Sequence, residues 1–97
     1  MARQIVWTEP AEKDLKTILK YWVDRNGSTT YSRRLYGQIQ AGIERTIKYP
    51  FLGRPTDMEG IRVLRVEIYL VFYEVMADAI VVHHLWDGRR DLKRLEF

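Results

Sequence analysis

Two runs decide the fold: "IRVLRVEIYLVFYEV" (61–75) and "AIVVHHLWDG" (79–88). Ile61 to Val66 lead through Glu67-Ile68 into Tyr69 to Met76. The stretch Tyr69 to Val75 is apolar except for Glu74, as in a central strand with some cover on both sides. Ala77-Asp78 turns the chain, Ala79 to Trp86 form a last strand, and Asp87-Gly88 ends it. Short local connections pair these three strands antiparallel.

Working outward, Gln4 to Trp7 read as a short strand. Thr8 then caps a helix whose first turn holds Glu9 and Pro10, where an acidic group and a missing N–H are both tolerated. Ala11, Leu15, Ile18, Leu19 and Trp22 fall on one helical stripe, and Glu12, Lys13, Asp14, Lys16 and Lys20 face water. Asn26-Gly27-Ser28 breaks the helix. Tyr31, Leu35, Ile39, Ile43 and Ile47 recur every fourth residue and define a second helix. Gly42 inside it suggests a close helix–helix approach. Pro50 stops that helix, and "PFLGRPTDMEG" (50–60) reads as a loop. The expected fold is α+β in the order β-α-α-β-β-β, a mainly antiparallel sheet packed against an N-terminal helical hairpin.

The 97 residues carry a net charge of +3 and are 46% hydrophobic and 30% charged. This describes one globular domain, residues 1–97, with a basic C-terminal tail over 89–97. The mild basicity is only a weak pointer to nucleic acid. Without cysteine there is no disulfide framework and no thiol nucleophile, and the chain suits the cytoplasm. No secretory leader or membrane-spanning run is read.

His83 and His84 are the only histidines. Period two sends them to opposite faces of a strand, so no metal site is expected; one is expected to be a partly buried packing histidine and the other to face solvent. Asp87 is placed to accept backbone N–H groups in its turn or to pair with an arginine. The glycine spacing of "FLGRP" fits no phosphate loop, and the two serines lack a nearby base. Trp7, Trp22, Trp86, Tyr69 and Phe72 read as core. Most of the sixteen basic residues are arginine, the side chain suited to bidentate contact with phosphate or carboxylate. Arg62 and Arg65, three apart, point to opposite faces. Arg89, Arg90, Lys93 and Arg94, joined by Arg54 or Arg65, form a candidate patch for a phosphate backbone or an acidic segment.

"IVWTEPAEKDLKTILKYW", "YPFLGRP", "IRVLRVEIYLVFYEV" and "HHLWDGRRDLKRL", in this order, resemble the ParE/RelE superfamily of toxins from bacterial type II toxin–antitoxin systems. The resemblance implies a toxin silenced by a cognate antitoxin, with operator DNA bound only through that antitoxin, no cofactor and no membrane partner. RelE-like members cleave mRNA on the ribosome. On that reading Arg65, Arg89, Arg90, His83 and His84 would be the catalytic set. The position of a RelE-like arginine falls on Leu70, and that of a C-terminal tyrosine falls near Glu96. ParE-like members are the better match. Pro50, Gly53 and Arg54, then Tyr69 to Tyr73, then Gly88 to Asp91 with Leu92 and Leu95 as anchors, follow their pattern. Such toxins poison DNA gyrase without a catalytic constellation. The resemblance then makes Arg54, Arg89, Arg90, Lys93 and Arg94 a target-binding surface. A third possibility is a non-toxic partner or corepressor.

Overall fold

The computed structural model describes residues 2–90. In chain order the elements are β1 (Gln4–Trp7), α1 (Glu9–Asn26), α2 (Thr30–Lys48), β2 (Arg54–Pro55), β3 (Ile61–Val66), β4 (Tyr69–Val75) and β5 (Ala79–Asp87). They form a helical hairpin on a five-stranded sheet of order β1-β5-β4-β3-β2. β1 runs parallel to β5, and the other pairs are antiparallel. The architecture is the α+β fold expected from the sequence, with one addition. The 50–60 loop contains β2, whose Arg54 and Pro55 pair with Val63 and Arg62.

Local chemistry sets the helix ends. Thr8 is extended, and its Oγ1 accepts the Ala11 N–H at 3.2 Å. The same hydroxyl donates to the His83 carbonyl at 3.1 Å, fixing the start of α1 to β5. At the other end Gly27 adopts φ 66°, and its N–H closes on the Val23 carbonyl at 2.9 Å. A left-handed cap of this kind favours glycine.

Cross-strand register sorts the sheet into two faces. Val66, Tyr69 and Asp87 form one row, and Leu64, Val71 and Leu85 the next. These rows face the helices, where Leu35, Ile39 and Ile43 of α2 and Ala11 of α1 complete the core. Complete burial of Leu35 contributes about 1.5–3 kcal/mol relative to exposure. On the opposite face lie the row Arg65, Leu70, Trp86 and the row Arg54, Val63, Phe72, His84.

Three readings from the sequence are corrected. Gly42 permits a close helix–sheet approach, not a helix–helix one: a Cβ there would lie 2.7 Å from Val66 Cγ2. Asp14 is half-buried against β5, not solvated. The two histidines do not follow strict alternation. The register passes from Phe72↔His84 to Tyr73↔Val82, which leaves His83 as an extra residue in β5. Such a bulge breaks the period of two. The buried positions accordingly change from Ile80 and Val82 to Leu85.

Candidate functional site

The turn that ends β5 is built by its glycine. The Gly88 N–H donates to the Ile68 carbonyl at 2.7 Å, and a Cβ at Gly88 would stand 2.8 Å from that same oxygen. The Arg90 N–H then returns to the Asp87 carbonyl at 3.0 Å. Two arginines are thereby presented in different settings. Arg89 forks onto Asp87, Nε to Oδ1 at 3.0 Å and Nη2 to Oδ2 at 2.7 Å, while its backbone N–H donates to Oδ1 at 2.9 Å. The side-chain bonds from Arg89 hold the Asp87 carboxyl below its ordinary range. Arg90 places its guanidinium 5.0 Å from the centre of the Trp86 ring, and its carbonyl accepts the Trp86 indole N–H at 3.3 Å. Trp86 is therefore a half-buried platform at the strand end, not the core residue its apolar context suggests.

Both arginines border a half-open cleft of about 340 Å³ between α1 and the ends of β4 and β5. Ile18, Tyr21, Tyr69 and Leu85 supply much of its wall. Burial raises the Tyr69 hydroxyl above its ordinary pKa, and that oxygen accepts the Trp22 indole N–H at 2.7 Å. Asp14 also lines the cleft, with its Oδ2 3.0 Å from His84 Nδ1 and 3.0 Å from the Leu85 backbone nitrogen. The signal for Asp14 lay in the helical period: it stands three after Ala11 and four before Ile18, beside the apolar stripe. Asp14→Ala is expected to cost about 1–3 kcal/mol by leaving the Leu85 N–H without its acceptor. Urea unfolding measures it, and an unchanged midpoint would contradict that role.

The remaining predicted residues are dispersed. Arg54 lies in β2, three strand spacings from β5, roughly 14 Å across the sheet. Arg65 shares a row with Leu70 and Trp86, and its Nε donates to the Glu67 carbonyl at 3.0 Å. Arg62, on the other face as expected, donates to the Gly53 carbonyl at 2.7 Å and stacks 4.6 Å from the centre of Phe51. His83 Nε2 meets Glu74 Oε1 at 3.0 Å. Each member of the possible ribonuclease set thus makes its described contact with a different group. Among the described residues no three His, Asp or Glu side chains gather as metal ligands. Lys93, Arg94, Leu92 and Leu95 lie outside the described residues.

A family model described as "ParE toxin of type II toxin-antitoxin system, parDE" matches residues 5–92. The chain belongs to the ParE toxin family. Toxin ParE3 of Caulobacter vibrioides is 28% identical over 91 residues, covering 92% of this chain and 90% of that protein. The solved chromosomal ParDE system of P. aeruginosa superposes with a TM-score of 0.75 at 20% identity, over 87% of this chain and 94% of the other. An E. coli DinJ–YafQ toxin–antitoxin complex gives a TM-score of 0.56 at 12% identity, over 92% and 96% of the two chains. Two of the segments that carried the ParE resemblance meet in space. The Tyr73 hydroxyl accepts the Gly53 N–H at 2.8 Å and donates to the Pro50 carbonyl at 2.9 Å. Burial raises that hydroxyl's pKa, so it remains a neutral donor at physiological pH. The latch fixes the loop from which Arg54 projects.

Proposed function

We infer that this ParE-family toxin acts by binding DNA gyrase in the cytoplasm, and that a cognate antitoxin silences it. The observation that carries the reading is the ParE match across residues 5–92. The relatives of like fold are toxin–antitoxin systems by their own descriptions. The site geometry adds physical support. Arg89 and Arg90 are exposed at the end of β5 beside an open cleft, as suits contact with an anionic macromolecular surface. Arg65, His83 and His84 make their described contacts with the Glu67 carbonyl, Glu74 and Asp14, three different groups, whereas a ribonuclease needs such side chains directed with the arginines at one phosphate. No described helix is long and apolar enough to cross a membrane.

Overproduction without antitoxin is expected to stop growth with accumulation of linear chromosomal DNA. Co-production of the cognate antitoxin restores growth. Growth arrest with intact chromosomes and codon-phased mRNA fragments would replace this reading with the ribosomal one. Unimpaired growth with soluble protein would leave only a corepressor role.

A further inference from the structure

Arg89 spends the Nε–Nη2 edge of its guanidinium on Asp87, at 3.0 and 2.7 Å. A guanidinium uses such an edge for bidentate recognition of an oxyanion. The described hydrogen bonds of the Asp87 carboxylate all come from Arg89, whose side chain is 61% exposed. An anion in solution can therefore compete for it directly. We propose that the cleft between α1 and the ends of β4 and β5 binds a nucleic-acid phosphodiester, and that Asp87 is a built-in competitor occupying Arg89 until the phosphodiester displaces it.

The cleft has the parts for this ligand. Arg89 and Arg90 line it, with Thr17 and Tyr21 on the α1 side. The other carboxylate in the wall, Asp14, is directed at His84 and the Leu85 N–H. Tyr21 of the cleft wall is 46% exposed, so a base beside its phosphate has an aromatic ring to stack on. An acidic peptide would match the arginines but leave that ring unused. The inference rests on the reading that Arg89 and Arg90 meet the target, and it extends that reading by giving Asp87 a role in setting affinity. Displaced from Arg89, the Asp87 carboxylate stays beside the incoming phosphate and opposes it. Removing its charge strengthens binding, and it also adds one net cation to the contact.

The test uses the full chain and a short fluorescent DNA duplex, with anisotropy recorded over a salt series. Asp87→Asn is expected to bind about tenfold tighter, with a slope of log K against log salt steeper by about one. A merely structural role would not steepen that slope. In an Arg89→Ala background the same substitution is expected to give a clearly smaller gain, because only the repulsion between the Asp87 carboxylate and the phosphate is left to remove. The proposal is overturned by weaker or unchanged binding in Asp87→Asn. A gain of undiminished size in the Arg89→Ala background, or no duplex binding by any variant, would also overturn it. Tightening seen with a polyglutamate peptide but not the duplex would overturn the phosphodiester assignment. Gyrase cleavage is scored separately, so failure to poison gyrase removes the proposed target without deciding the duplex result.

Discussion

Replacing Arg89 and Arg90 together by alanine is expected to abolish growth arrest while leaving the fold intact. Both side chains are exposed, and their contacts stay within the turn: Asp87 for one, the Trp86 ring for the other. An exposed cation–π contact contributes about 0.5–1 kcal/mol, and exposed ion pairs contribute little. The Gly88-to-Ile68 and Arg90-to-Asp87 backbone bonds that form the turn are untouched. Target binding is affected far more. Two charged donors at about 1.5–3 kcal/mol each amount to a loss of at least about a hundredfold in affinity. Viability on induction and the urea midpoint together decide the matter. A soluble double variant with an unchanged midpoint that still arrests growth would remove these arginines from the target surface.

Gly53→Ala is expected to be among the most destabilising single substitutions outside the core. A Cβ there would lie 2.7 Å from the Tyr73 ring, its hydroxyl and the Val63 carbonyl oxygen. None of these can move aside at low cost. Tyr73 is 1% exposed, and Val63 is held in the sheet between β2 and β4. Alanine would push the hydroxyl off the Gly53 N–H and the Pro50 carbonyl, and it would spread β2 from β3. Overpacking and lost hydrogen bonds together predict about 2–4 kcal/mol. That is a large share of a stability of about 5–15 kcal/mol. Tyr73→Phe removes the hydroxyl without adding bulk, and about 1–2 kcal/mol is expected for it. Thermal unfolding of both variants checks the account; a Gly53→Ala midpoint equal to the parent's would contradict it.

The parts of the fold that were legible in the sequence were those set by near neighbours. Thr8, Glu9 and Pro10 mark the start of α1 through local capping chemistry, and Gly27 marks its end through backbone conformation. Leu35, Ile39 and Ile43 show their burial through spacing alone. What escaped the reading depends on distant residues. β2 is two residues long and exists because Tyr73, twenty positions away, holds Gly53 against β3. The bulge at His83 carries no signature in "VVHHLW" and appears only when β5 is set beside β4. Glu67 adopts φ 56° in the turn between β3 and β4, a conformation that favours glycine, so its residue type gave no turn signal. The Asp87–arginine pairing was legible from charge and position. The cleft was not, because Asp14, Tyr21 and Trp86 come together only in the folded chain.

The most direct test of the central claim is a reaction of the purified, antitoxin-free chain with DNA gyrase and supercoiled plasmid, run beside a ribosome–mRNA cleavage reaction. The account predicts gyrase-dependent linear DNA, trapped as a covalent cleavage complex, with the mRNA intact. Cleaved mRNA with normal gyrase turnover would contradict it, and would make Arg65, Arg89, Arg90 and the two histidines an active site.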